Sequence, residues 1–216
     1  MLRTLRRVAD RRRQASGQYG WLFNPYTGNE MVALDCETTG LDPKTAELVS
    51  IAAVKVRGDR VMTSDSLDLR LQRPSSLTGD SICIHGLRGV DLDGGDSLRE
   101  ALVKLLDFVG NRPLIGWRIG FDLLVINRHL RPLLGFDLPN SLIDVEQRFA
   151  RNLRRSHPMV EPVLNFESVA DALNVPVMGR HTALGDAVTT ALMYVRLSKT
   201  QLPRLAHDSI DNAREG

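Results

Sequence analysis

The sequence predicts an α/β fold with a central, mixed five-stranded sheet that is flanked by helices. Three β-rich segments come first along the chain, and shorter β-rich segments then alternate with segments of helical periodicity. Strands that lead and then alternate with helices are typical of a sheet with both antiparallel and parallel pairs. The hydrophobic fraction of 43% in 216 residues is sufficient for one sizeable core.

The first three strands are predicted at residues 31–35, 47–56 and 60–71. The dipeptide Gly58-Asp59 separates the second run from the third, and such a pair is a hairpin turn signal. We therefore expect three consecutive antiparallel strands. The later segments continue the pattern, with helices predicted at 97–109, 121–134, 166–173 and 182–197 and strands at 113–116 and 141–145.

The chain is expected to divide into an N-terminal segment, residues 1–29, a main domain, residues 30–198, and a C-terminal tail, residues 199–216. Residues 2–16 are predicted to form a basic helix with an apolar stripe of Leu2, Leu5, Val8 and Ala9, and 17–29 an extended connection held by aromatic side chains. Three interpretations of the basic helix remain open: a docked helix with a solvated basic face, an additional nucleic-acid contact, or a targeting segment.

A second arginine-rich stretch, residues 151–164, is predicted to be a surface loop because it contains Pro158 and Pro162. Its arginines could border a path for phosphates, or they could form a solvated charge cluster. They are Arg151, Arg154 and Arg155.

Composition bears on the membrane association, the location and the charge of the protein. No apolar run approaches the roughly 20 residues that span a bilayer, so we expect no membrane partner. The two cysteines, Cys36 and Cys83, form no CxxC pair and indicate no disulfide framework, which favours a cytoplasmic location. The net charge of +2 is local, because six arginines and one acid stand in the first thirteen residues.

Two acids, Asp35 and Glu37, stand at the end of the first predicted strand. Side chains two residues apart in a strand point to the same face, so the two carboxylates lie side by side. Like charges at that separation repel, and hard divalent cations such as Mg²⁺ or Mn²⁺ offset the repulsion. The pair therefore predicts a metal site, with a water-exposed pair of acids as the alternative.

Three later residues can complete such a site. Asp122 opens a predicted helix, where it could also serve as a helix cap. His181 and Asp186 are five residues apart, a separation that rotates a helix by roughly 140°, so both cannot project from one helical face. We therefore expect His181 just before the helix that carries Asp186.

These motifs together resemble the DEDDh, or DnaQ-like, family of 3′–5′ exonucleases. The resemblance covers residues 31 to about 197 and rests on DxE, FD and HxxxxD in that order. It extends to the segments LDCETTGL, ICIHGL, LIDV and RHTALGDAVTTAL. The family includes proofreading subunits of replicative DNA polymerases.

The resemblance implies an RNase H-like fold and an active site that binds two divalent metal ions, Mg²⁺ or Mn²⁺. Its metal ligands would be Asp35, Glu37, Asp122 and Asp186, and His181 would accept a proton from the attacking water. The implied reaction releases nucleoside 5′-monophosphates from the 3′ ends of single-stranded DNA, in proofreading or repair.

The resemblance also implies a binding site for the terminal nucleotide, formed by Thr38, Gly40, Leu41, His85 and Phe121. The family often has a His-Asn pair before the FD motif, where this chain has Trp117-Arg118. Arg118 could contact the substrate backbone or be solvated, and Trp117 could stack on a base or pack in the core.

Other functions remain open at this stage. The enzyme could act on RNA or short oligoribonucleotides, or the chain could bind nucleic acid without cutting it. A phosphatase with an aspartate nucleophile would need a lysine between Asp122 and Asp186, and that interval has none. The segment 201–205, QLPRL, faintly resembles a clamp-binding peptide, so association with a polymerase or its clamp is possible. The sequence specifies no oligomeric state.

Overall fold

The computed structural model describes residues 2–159 and 164–199. The strands in these ranges are β1 (Glu30–Thr38), β2 (Leu48–Arg57), β3 (Arg60–Arg70), β4 (Leu114–Gly116) and β5 (Leu142–Asp144). The helices are α1 (Leu2–Gln14), α2 (Gly79–His85), α3 (Leu98–Val109), α4 (Gly120–Leu134), α5 (Val145–Ser156), α6 (Phe166–Ala172) and α7 (Ala183–Lys199). Two 3₁₀ turns span Gly20–Phe23 and Gly89–Leu92.

The five strands form one sheet in the order β3-β2-β1-β4-β5. The pairs of β1 with β2 and of β2 with β3 are antiparallel, whereas β1 pairs parallel with β4, and β4 with β5. Arg57 pairs with Arg60 across a tight turn in which Gly58 has a φ of +60°, a conformation that favours glycine. The predicted mixed sheet and its leading meander are therefore confirmed.

Helices cover both faces of the sheet, and β1 contributes to both layers of core. Val32 and Leu34 are buried with apolar side chains of α3 and α4. Ala33 is buried on the opposite face with α5, α6 and α7. Because Asp35 and Glu37 share the strand parity of Ala33, they face the layer that contains α7.

The N-terminal helix docks through a polar contact rather than through its predicted apolar stripe. Leu5 and Val8 are 60% and 46% exposed, whereas the Asp10 side chain is buried at 1%. The carboxylate of Asp10 accepts a hydrogen bond of 2.7 Å from Nη2 of Arg131 in α4. The following connection is confirmed as an aromatic anchor, since Phe23 packs edge-on against Phe136, but it contains a 3₁₀ turn and is not wholly extended.

The prediction of a surface loop at 151–164 was wrong over its first half, because α5 continues to Ser156. The helix persists because Val145, Phe149 and Leu153 recur at helical spacing and are buried. The helix α2 was not predicted at all. The predicted C-terminal tail lies outside the described residues from 200 onward, as does the segment 201–205. None of the described helices has the length and apolarity required to cross a membrane.

Candidate active site at the carboxyl edge of the sheet

The end of β1 places two carboxylates next to each other. Asp35 pairs with Ala52 of β2, and Glu37 pairs with Ser50. The register shifts between Glu37 and Thr38, and this irregularity ends the regular pairing directly after the second acid. As expected from the alternation of the strand, the two side chains lie on one face.

Asp186 joins this pair from the first turn of α7. Carboxylate oxygens of Asp35, Glu37 and Asp186 all lie within 4.8 Å of one another. The Oδ1 atom of Asp186 is buried and has no hydrogen-bond partner among the described residues. Three converging carboxylates, one with a free buried oxygen, fit a hard divalent cation such as Mg²⁺ or Mn²⁺.

Asp122 is buried beside this group of three but falls outside it. Burial raises the pKa of Asp122 to about 8, and the backbone N–H groups of Asp122 itself and of Cys36 in β1 act against that rise. The side chain of Asp122 therefore faces β1 from α4. Cys36 alternates away from Asp35 and Glu37 and packs partly against the core.

Burial and mutual repulsion raise the pKa values of these acids. Burial, followed by the charge of Asp122, raises the pKa of Asp35 well above its usual range. Burial, followed by the charge of Asp186, raises the pKa of Glu37 to about 7. The site thus holds several carboxylates that are costly to ionise together, and a cation between them would reverse that cost.

Arg180 supplies positive charge at the edge of the site. Its Nη1 atom lies 2.5 Å from Oδ2 of Asp186, and its Nε atom lies 2.6 Å from Oε1 of Glu167 in α6. Its guanidinium also lies 4.4 Å from the centre of the Phe166 ring. These contacts tie the segment before α7 to α6, and sequence reasoning missed them although Arg180 adjoins His181.

His181 lies before α7, as predicted from its spacing. It is exposed, has a φ of +60°, and donates its backbone N–H to Oδ2 of Asp186 at 3.3 Å. The turn passes close to α7 because Gly185 has no side chain. A Cβ atom there would collide with the carbonyl oxygens of Met178 and Gly179.

His85 lines a cavity of about 490 Å³ between β3, α2 and the start of α7. The cavity also reaches Ser50, the strand partner of Glu37, so it adjoins the carboxylates. The Nδ1 atom of His85 accepts a hydrogen bond of 3.0 Å from the N–H of Leu87, which places the imidazole proton on Nε2. Nε2 is buried without a hydrogen-bond partner among the described residues.

The other predicted nucleotide contacts surround the end of β1 and the start of α4. Thr38 donates a hydrogen bond of 2.8 Å to the carbonyl of Gly40, which shapes the turn after the strand. Leu41 is 86% exposed, whereas Phe121 is half-buried against the core. These residues place backbone polar groups and apolar side chains near the acids.

Trp117 and Arg118, which stand where the family often has a His-Asn pair, both contact other parts of the fold. Arg118 forms two hydrogen bonds to the carboxylate of Glu146 in α5, at 2.6 and 2.7 Å. Trp117 packs edge-on against Phe166, with ring centres 5.3 Å apart. Both side chains fasten β4 to the helices that follow it.

A family model for exonucleases, RNase_T, matches residues 32–194. The chain belongs to this exonuclease family. The match spans the central sheet and every acid of the site, and it lies within the main domain predicted at 30–198.

The chain has relatives that are named as DNA polymerase III proteins. It is 27% identical over 165 residues to the PolC-type DNA polymerase III of Thermotoga maritima, covering 76% of this chain and 12% of that protein. It is 25% identical over 167 residues to the epsilon subunit of DNA polymerase III of Aquifex aeolicus, covering 77% of this chain and 79% of that subunit. The chain thus spans about an eighth of the length of the PolC-type relatives.

Comparison with solved structures places the fold of this chain in the RNase H-like class. Cell-death related nuclease 4 superposes with a TM-score of 0.67 at 18% identity, covering 79% of this chain and 64% of the other. Exonuclease I of E. coli in complex with a dT13 oligonucleotide superposes with a TM-score of 0.66 at 18% identity, covering 82% and 42%. The expected fold class is confirmed.

Proposed function

We propose that this exonuclease removes nucleotides one at a time from the 3′ ends of single-stranded DNA and releases nucleoside 5′-monophosphates. The observation that carries the proposal is the convergence of Asp35, Glu37 and Asp186 beside the exposed His181. Carboxylates that converge on a cation, next to an imidazole that can accept a proton, suit hydrolysis of a phosphodiester.

Each acid has a distinct place in the proposed site. Asp35, Glu37 and Asp186 would hold divalent cations directly, and Asp122 would complete the ligand set from α4. Two bound Mg²⁺ or Mn²⁺ ions would supply Lewis acidity toward the phosphodiester. The backbone contact from His181 to Asp186 keeps the turn next to this ligand.

His181 is the proposed general base. Its backbone is fixed to Asp186, whereas its side chain is exposed and can approach an attacking water from the solvent side. Imidazole accepts a proton near neutral pH, and solvent exposure lets that proton leave to bulk water afterwards.

The terminal nucleotide would occupy the space around the end of β1. The Nε2–H group of His85 lines the adjoining cavity, has no hydrogen-bond partner among the described residues, and suits an oxygen or nitrogen acceptor on a nucleotide. Leu41 and Phe121 offer apolar contacts, and the turn at Thr38 and Gly40 offers backbone groups.

DNA is the proposed polymer because the names of the relatives and of the structural neighbours refer to DNA polymerase or to DNA oligonucleotides. Relatives are called DNA polymerase III proteins, and E. coli exonuclease I was solved with dT13 and dA16 oligonucleotides. Association with a polymerase is part of the same proposal. Nothing in the site singles out a ribose 2′-hydroxyl, so RNA is the competing substrate in the test.

The test is a digestion time course on 5′-labelled single-stranded DNA and RNA of the same sequence, with Mg²⁺ or Mn²⁺. We expect stepwise shortening from the 3′ end, faster on DNA, that stops with a chelator or with Asp35→Ala. His181→Ala should slow the reaction by about 10²- to 10⁴-fold, the usual contribution of a general base.

Asp107→Ala is the matched control, because Asp107 is an exposed acid on α3 away from the cluster. It should retain full activity. Cleavage that persists in Asp35→Ala would contradict the proposed site, and faster digestion of RNA would reassign the polymer. No cleavage of either polymer would leave the chain as a binding module.

A further inference from the structure

One face of α5 carries an unpaired cluster of positive charge. Arg151, Arg154 and Arg155 are three and four residues apart, so they share one side of the helix. All three side chains are exposed, and none pairs with a carboxylate of the described residues. We call these three residues the α5 arginine face.

Grooves run along both sides of this face. The first has a volume of about 540 Å³ and is lined by Gly120, Asp144, Arg151 and Arg155, among others. The second has a volume of about 550 Å³ and lies between α5 and Leu164. Because Arg151 and Arg155 border both grooves, a chain-like ligand on either side would meet them.

The first groove lies at the same edge of the sheet as the candidate active site. Gly120 begins α4, which carries Asp122 two residues later. Asp144 ends β5, and β5 pairs parallel with β4, the neighbour of β1. The groove therefore lies at the carboxyl edge of the sheet, beside β5 and two strands from β1.

The acids in and beside the groove are already satisfied. Glu146 is held by two hydrogen bonds from Arg118. Asp144 caps α5 by accepting a hydrogen bond of 3.1 Å from the N–H of Gln147. The start of α4 adds the positive end of a helix dipole to the charge of the α5 arginine face. The groove is thus a positive surface that adjoins an acidic centre.

We propose that the α5 arginine face binds the sugar-phosphate backbone of the strand upstream of its terminal nucleotide. This inference rests on the proposed function, because it assumes that a nucleic-acid strand enters the carboxylate site. The acids repel phosphates, so nucleotides next to the reacting one need positive charge outside the centre.

The lining of the grooves indicates contact with the backbone and not with the bases. Among the residues that the structure describes, none that lines either groove is an aromatic residue on which a base could stack. Arginine contacts to phosphates carry no sequence information, so binding should be independent of sequence and sensitive to salt.

The test measures binding without cleavage, by fluorescence anisotropy in a chelator with a labelled single strand of about 12 nucleotides. Arg151→Gln/Arg155→Gln should weaken binding by about tenfold and reduce the slope of log affinity against log salt by about 1.4, the value for two phosphates on a single strand. Arg151→Lys/Arg155→Lys, which keeps the charge, should restore most of the binding.

The matched control is Arg60→Gln/Arg99→Gln, which removes two exposed arginines from the start of β3 and from α3, neither of which lines a groove. It should leave the affinity unchanged. An equal loss in this control would overturn the proposal, because it would show that only net charge matters. Unaltered DNA binding by Arg151→Gln/Arg155→Gln would also overturn it. The α5 arginine face would then be a candidate binding site for an acidic protein instead.

A second measurement separates this inference from the proposed function. Hydrolysis of a dinucleotide with Mn²⁺ should be the same in Arg151→Gln/Arg155→Gln and in the unmodified protein, because so short a substrate does not reach α5. If the unmodified protein binds the longer strand through α5 but hydrolyses no dinucleotide or longer strand, the proposed function fails and the α5 contact stands. A rate that falls equally on the dinucleotide would refute the α5 contact.

Discussion

At the scale of one residue, Glu37 shows how the convergence of acids lowers the free energy of unfolding. Its pKa rises from an ordinary 4.5 to about 7 through burial and the charge of Asp186. Between these two pH values the folded state binds more protons than the unfolded state, so the free energy of unfolding falls as pH rises. We expect this residue to lower stability by about 3 kcal/mol above pH 7 in the absence of metal.

Glu37→Gln should remove that dependence. In a chelator, urea unfolding should give similar free energies for the variant and the unmodified protein near pH 4.5, and a more stable variant at pH 8. A stability difference that is the same at both pH values would show that ionisation of Glu37 is not its source.

The types and order of the site residues could be predicted from the sequence, because they stand in short motifs at strand and helix ends. The partners of these residues could not. Arg180, in the turn before α7, contacts Glu167 of α6, and Asp122 of α4 lies against Cys36 of β1. Such pairings depend on how elements pack, and no local spacing encodes them.

At the scale of elements, α1 is attached by a buried ion pair. Burial alone would raise the pKa of Asp10, but hydrogen bonds from Arg131 and from the N–H of Asp137 lower it overall. Asp10→Ala would leave Arg131 with Asp137 alone, and we expect it to cost about 3 kcal/mol of unfolding free energy. Urea unfolding at pH 7 measures this loss.

Asp107→Ala serves again as the control, because it also removes one aspartate but from an exposed position. It should unfold at the same urea concentration as the unmodified protein. An equal loss of stability in both variants would mean that Asp10 contributes only its charge and not its contacts.

Two helices show where the interpretation of apolar spacing gave a wrong prediction. The apolar stripe of Leu5 and Val8 predicted the docking face of α1, yet both are exposed and a lone acid in a basic helix makes the contact. In α5 the apolar repeat of Val145, Phe149 and Leu153 is present in the sequence, but it lies among arginines and a loop was predicted over its end. The short helix α2 is set by its ends, with Thr78 as its N-cap and Gly86 in the left-handed conformation after it.

For the whole molecule, the three leading antiparallel strands were predictable because they form a local meander. The parallel half was harder, since β4 and β5 have three residues each and are recognised mainly by the helices between them. The central position of β1 links the two halves. This position also brings an early strand against the last described helix.

Cation binding between β1 and α7 should therefore stabilise the entire fold. At a free Mn²⁺ concentration about 100 times the dissociation constant, binding adds about 2.7 kcal/mol to the free energy of unfolding. Calorimetry at pH 8 should show a Tm increase of roughly 5 to 10 °C. Asp186→Asn should lose this increase, and an equal increase in that variant would place the ion elsewhere.

The sequence positions of the carboxylates also determine when the centre can exist. Asp35 and Glu37 are translated early, whereas Asp186 belongs to the last described helix. A nascent chain that has not yet emerged through α7 lacks one of the three converging ligands. The group of three carboxylates is thus not assembled until α7 has been synthesised and has packed onto the sheet.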